Sequence, residues 1–334
     1  MDDIYIDALR GVLTDRCTLQ TVRDIEAGEG HAPAAPLWEA IEASGFADAL
    51  LPESEGGAGL SLGDAFALIE LCGHFVVPVP LPETMLARAL LAQAGLRRPE
   101  GSIALATARR AGDGTFVCDR VSGGRVADWV FAGIDATHAV LLPVDAATAS
   151  AAVGSLDATL SWPPAAQAAA QPVPIDVEVR VLQAVLLAAQ LAGALMAVFT
   201  RTLQYANDRQ QFGRPIGKFQ AIQHQLSVIS EHAFAARMAA QIGCSGARPD
   251  RLRAAIAKAR ASEAALEVAG LSHSIHGAIG FTEEFDLQMY TRRLHAWRQA
   301  GGSESYWHDV VGTELVDRRD GLALDLIRAT TDPA

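Results

Sequence analysis

The chain has 334 residues. That length can bury roughly three-quarters of the unfolded surface, so disulfides are not needed for folding. Hydrophobic residues make up 50% and charged residues 20%, which excludes a disordered chain. The net charge of −12 argues against nucleic acid or an anionic membrane surface as a partner.

The four cysteines, Cys17, Cys72, Cys118 and Cys244, share no metal or redox spacing and read as buried thiols in a reducing compartment. The N-terminus lacks a signal-peptide apolar stretch, so the expected location is cytoplasmic. Val181 to Thr200 is long and apolar enough to imitate a membrane span. Its Gln183, Gln190 and many alanines instead suggest the central helix of a bundle.

Three regions follow in chain order: a helical domain over 1–100, a small β domain over 101–173, and a helical bundle over 174–334. In the first, Leu37 and Ile41 mark a helix ended by Gly45. A glycine-rich loop over 52–59 precedes a helix from Leu62 to Cys72, and another helix runs over 83–94. In the second, short β-compatible runs such as Ile103–Thr107, Trp129–Ala132 and His138–Pro143 predict a small antiparallel sheet or barrel. In the third, periodic segments over 176–207, 215–243, 249–276 and 304–328 predict four long helices. The fold class is therefore mainly α, with a small β domain between an N-terminal helical domain and a C-terminal four-helix bundle.

Several chemical motifs are absent or fail on spacing. The Gly57, Gly59 and Gly63 run lacks the spacing and βαβ setting of a dinucleotide fingerprint and reads as a turn. His273 and His276 share a helical face but have no nearby third ligand, so no metal is expected. No nucleophile elbow or Walker loop occurs. One segment stands out: the run from Arg209 to Gln223 joins two helices and is dense in polar residues. An arginine at one helix end beside the start of the next suits a diphosphate.

This run, RQQFGRPIGKFQAIQHQLS over 209–227, closely resembles a signature of the acyl-CoA dehydrogenase family. HGAIGFTEEFDLQMYTRRLHAW over 276–297 resembles the family's glycine-containing cofactor loop and the helix after it. Residues 37–73 resemble its N-terminal helical domain. The resemblance implies FAD bound across a subunit interface. It implies that Arg209 meets the diphosphate, Phe212 lies near the adenine end, and Gln220 belongs to the adjoining helix. His276, Gly277, Ala278, Ile279 and Gly280 would meet the ADP part. The implied reaction is α,β-dehydrogenation of an acyl-CoA thioester, with a carboxylate removing the α proton and an electron-transfer flavoprotein-type protein accepting electrons.

Two departures from the family pattern bear on function. The family's base opens a run matched here by Ala300-Gly301-Gly302-Ser303-Glu304, so alanine stands at the base position. The alternative base position in some members falls at Gln183, and an amide has no useful basicity. Glu304 and Glu178 are the fallback carboxylates. The flavin-ring elements of the middle domain are also altered, with Ala104 to Arg110 in place of the first. The resemblance to short bacterial members acting as unequal pairs on steroid-type CoA thioesters implies a base-lacking subunit in a heterotetramer with a homologous subunit. The alternatives are a self-sufficient homomer with a displaced glutamate, and a non-catalytic binding protein.

Overall fold

The computed structural model describes residues 2–28, 30–151, 154–246, 248–317 and 322–331. The chain divides into two compact units, one made of residues 1–68 and 77–186, the other of 69–76 and 187–334.

The first unit begins with α1 (Asp2–Arg16), α2 (Leu19–Ala27) and α3 (Ala35–Ala43). Neither α1 nor α2 is marked by the periodicity read above. Leu9 and Leu13 of α1 are nonetheless fully buried, one turn apart on one face. α3 ends where expected, with Gly45 in the left-handed region at φ 78°. α4 (Leu62–His74) starts in this unit, and α5 (Leu81–Gln93) follows with Pro82 in its first turn. Arg88 of α5 is buried and pairs with Glu42 and Asp48, at 2.6 and 3.1 Å. That satisfies a charge which would otherwise be costly to desolvate.

The middle strands are β1 (Ile103–Arg110), β2 (Phe116–Val121), β3 (Trp129–Gly133), β4 (His138–Pro143), β5 (Thr148–Ala151), β6 (Ala158–Trp162) and β7 (Gln171–Pro174). They form one sheet in the order β5-β6-β2-β1-β3-β4-β7. Its core holds Phe116, Cys118, Val130, Leu142, Leu160 and Trp162. All neighbours are antiparallel except β1 and β3. The expectation of an antiparallel sheet misses this pair for a topological reason. β2 turns back on one edge of β1, so the next strand returns along the original direction and can take only the other edge in parallel. The last residues of β1, Ala108 to Arg110, pair with β2, while Ile103 to Thr107 pair with β3.

α6 (Val179–Asp208) runs from this unit into the second. It is long and apolar enough to cross a membrane, but 89% of its most apolar stretch is buried inside the protein. In the second unit α4 and α6 cross through glycines. A Cβ on Gly193 would lie 1.8 Å from the Glu70 carbonyl oxygen, and one on Gly73 1.9 Å from that of Gln190. Only glycine permits that approach. Arg237 pairs with Glu70 at 2.5 Å beside the crossing.

The remaining elements are a two-strand hairpin, β8 (Gln210–Gln211) and β9 (Arg214–Pro215), then α7 (Gln220–Cys244), α8 (Arg251–His276), α9 (Leu287–Gln299), α10 (Glu304–Asp317) and α11 (Ala323–Thr331). α8 packs against α7, α9 and α10. Eight buried alanines between Ala254 and Ala269 let these helices approach closely. The segment expected as one helix over 304–328 holds α10 and the start of α11, with 318–321 outside the described residues. α9 is polar overall, with Arg292, Arg293 and Arg298 among its residues, yet Met289, Leu294 and Trp297 are buried.

Candidate functional site

The polar run singled out in the sequence folds as helix, hairpin, helix. Arg209 extends the end of α6, its amide donating to the Tyr205 carbonyl at 2.9 Å. β8 and β9 then pair through Gln210 with Pro215 and Gln211 with Arg214. The two turn residues, Phe212 and Gly213, have φ 51° and 78°. This is the backbone of a primed hairpin turn, which favours Asn or Gly at its first position rather than a bulky aromatic. Phe212 is 91% exposed, edge-on to Phe219. Ile216 is buried and anchors the hairpin, its amide donating to the Arg209 carbonyl at 2.8 Å. Phe219 leads into α7 without a side-chain cap, leaving the first amides of that helix to other acceptors.

The second motif closes α8. Gly277 takes φ 66° and ψ −148°, a combination that only glycine adopts readily. His276 is buried and stacks on Tyr205, with centroids 4.2 Å apart. Its Nδ1 lies 2.7 Å from the Ser272 carbonyl, which can only accept, so Nδ1 carries the proton. Burial, the largest cause, lowers the His276 pKa and keeps the ring neutral at neutral pH. His273 stacks on Phe281 and its Nε2 meets Thr291 Oγ1 at 2.9 Å.

These two motifs, far apart in sequence, line one hollow of about 580 Å³. Tyr205, Arg209 and Phe212 line one side, and His276, Gly277, Ala278 and Ile279 line the other. Gln220 is exposed on the first turn of α7 and does not line it. Gly280 is buried behind the loop, where an added Cβ would lie 3.0 Å from that of His276. Tyr205 is one of the lining residues that sequence reasoning missed, as are Ile222, Ser274 and Ile275. The signal for Tyr205 was an aromatic one helical turn before Arg209.

The base positions have a different character. Ala300 caps α9 and is followed by Gly301 and Gly302 at φ 64° and 105°. Glu304 opens α10 and is tied to Arg298 by a short ion pair. Gln183 donates from Nε2 to the Leu105 carbonyl of β1 at 2.9 Å. Glu178 lines a hollow of about 240 Å³ with Thr107 and Gly133, the last partners in the parallel pairing of β1 with β3. All four cysteines are buried, and burial pushes the Cys118 and Cys244 thiols up to about 12. Among the described residues, no group of three or more His, Cys, Asp or Glu could hold a metal ion.

The sequence profile of the family described as "Acyl-CoA dehydrogenase, C-terminal domain" matches residues 182–315. Over 267 residues the chain is 35% identical to acyl-CoA dehydrogenase IpdE2 of Mycolicibacterium smegmatis, a match spanning 80% of this chain and 83% of that one. The chain belongs to the acyl-CoA dehydrogenase family. Members are flavoprotein oxidoreductases that act on the CH–CH bond of acyl-CoA thioesters. The fold is shared with the ChsE4–ChsE5 complex of Mycobacterium tuberculosis, at a TM-score of 0.80 and 20% identity over 96% of this chain and 98% of that one. It is shared equally with the Tcur3481–Tcur3483 steroid ACAD, at a TM-score of 0.78 and 24% identity over 95% and 98% of the two chains.

Proposed function

We propose that this chain is the base-lacking subunit of a heteromeric acyl-CoA dehydrogenase that forms an α,β double bond in a steroid-type CoA thioester. The observation that carries the reading is a contrast within one chain. The hollow built by the Arg209 hairpin and the His276 loop presents a cation, aromatic rings and a helix start. Both base positions lack a carboxylate, with alanine at 300 and at 183 a glutamine whose amide is engaged by a strand carbonyl. The ChsE4–ChsE5 complex and the Tcur3481–Tcur3483 steroid ACAD among the fold relatives support the heteromeric assignment.

The hollow suits the adenosine diphosphate part of FAD in size and in donor set. Arg209 forms no ion pair among the described residues, so its guanidinium is available to a diphosphate. Phe212 and Tyr205 offer apolar faces at the adenine end. Bound FAD would accept the hydride from the β carbon of the thioester. This chain's residues bind and orient that group, and the partner subunit supplies the carboxylate that takes the α proton. Electrons leave to an electron-transfer flavoprotein-type acceptor.

Co-expression with a homologous family member tests the assignment. Flavin retention and thioester oxidation by the mixed assembly, and not by the homomer, is the expected result. Rapid oxidation by the homomer overturns it. The second reading is then a self-sufficient homomer using Glu178, the fallback carboxylate that lines a hollow of its own.

A further inference from the structure

α11 is held to the second unit by one narrow stripe. Leu326 and Thr330, one helical turn apart, are its buried residues. Leu324 and Ile327 are 49% and 55% exposed, and Leu322, just before the helix, is exposed as well. The apolar arc of α11 is therefore wider than the stripe the body covers, and one flank of it faces water.

The other flank of the same helix walls a hollow of about 760 Å³. Ala329 and Thr330 of α11 form one side, Leu252 at the start of α8 another, and Asp309 and Val310 of α10 a third. At about 100° per residue, Ile327 stands on the opposite side of α11 from Ala329. A protruding apolar flank and a hollow thus lie to either side of one exposed helix. Their charges are opposite. Arg328, four residues on from Leu324, is exposed beside the protruding flank, and Asp309 is exposed on the rim of the hollow. Neither forms an ion pair among the described residues.

We propose that α11 is a self-association surface. A second copy of this chain inserts Leu324 and Ile327 into the hollow beside α11, sets Arg328 against Asp309, and receives the same two contacts in return. A two-fold axis running along α11 carries the protruding flank of each copy over the hollow of the other. The contact is then isologous and closes at two copies. A foreign partner needs only one half of this arrangement. Both halves on one helix, with a cation on one and an anion on the other, select a second copy. Resting on the heteromeric reading given above, the contact joins two flavin-sharing pairs into a four-chain assembly.

Sedimentation velocity of the full chain over a concentration series tests this without any partner subunit. Ile327→Asp should halve the mass, and Ile327 is exposed enough for the variant to fold. Arg328→Asp sets like charges opposite each other twice per two-fold contact and should weaken association about tenfold or more. Asp309→Arg should do the same, and the two changes combined in one chain should restore association. A wild-type chain that sediments as one chain at every concentration overturns the proposal, as does an Ile327→Asp variant that keeps the wild-type mass. In the mixed assembly, Ile327→Asp should leave a single pair that still retains flavin. A variant that instead loses the homologous subunit assigns α11 to that subunit and overturns self-association. If no mixed assembly forms at all, the heteromeric reading fails, and the mass of the chain alone still decides the role of α11.

Discussion

The hairpin around Arg209 and the turn around Ala300 lie in the same unit and handle polar groups in opposite ways. At the hairpin, Arg209 forms no ion pair among the described residues, and Phe212 is held in the left-handed region with 91% of its surface exposed. At the turn, charges find their partners from within: Arg298 pairs with Glu304, and Lys258 with a hydroxyl and two carbonyls. The first arrangement is costly unless something outside the unit completes it. The second pairs its charges inside the unit, and leaves Arg298 Nε and Glu304 Oε2 buried without a hydrogen-bond partner. A site kept for a ligand and a site converted to structure can be told apart by where their polar groups go.

The largest effect expected from this contrast is on chemistry. A positioned base contributes about 10²- to 10⁴-fold to proton abstraction. Single-turnover flavin bleaching by acyl-CoA should be slower in the homomer by at least that factor than in a mixed assembly whose partner carries a glutamate. Equal rates would mean that the turn is not the retired half of the comparison. Glu178→Gln would then be the variant to measure, since Glu178 lines an open hollow while Glu304 is held by Arg298.

Removing one member of the closed set comes next. Glu304→Gln leaves Arg298 without its partner at a site where the two side chains are 17% and 25% exposed. A fully buried broken pair costs about 3–5 kcal/mol, and partial exposure here brings the expected loss to about 2 kcal/mol in a urea melt. Turnover per folded mixed assembly should not change. A large fall in turnover with stability intact would make Glu304 the base and reverse the reading of the turn.

How much of this was legible in the sequence depended on what each residue needed. The hairpin motif is contiguous and chemically unusual, so Arg209 could be named before any geometry, while Phe212 and Gly277 followed from the family resemblance alone. The long helices were legible from their length and their wealth of alanine and leucine. α9 was not readable from pattern, because it is polar overall and Arg293 and Thr291 stand among its buried residues. The parallel pairing of β1 with β3 was hidden as well, since it follows from which edge of β1 remains free. Lys258 sits in an alanine-rich helix like any surface lysine. Its pairing depends on two carbonyls forty or more residues away, which local pattern does not reveal.

On the open side, Arg209→Ala removes a charge-assisted contact worth about 1.5–3 kcal/mol. FAD retention by the mixed assembly should weaken about ten- to a hundredfold. Fold stability should stay the same, because no ion pair within the chain is lost. Unchanged flavin content in equilibrium dialysis would detach the hairpin from the cofactor and leave its exposed charge unexplained.

The smallest effect is the most direct measure of what the open site costs. A bulky residue in the left-handed region is disfavoured by roughly 1–2 kcal/mol, and Phe212 makes only an edge contact with Phe219 in return. Asparagine before Gly213 is a preferred pair for this turn. Phe212→Asn should therefore stabilise the isolated chain by about 1 kcal/mol, while weakening flavin retention once the ring is gone. The two readouts must move in opposite directions if the strain is maintained for ligand binding. If stability falls instead, the ring is packing for the hairpin itself, and the difference between the two regions narrows to the single charge of Arg209.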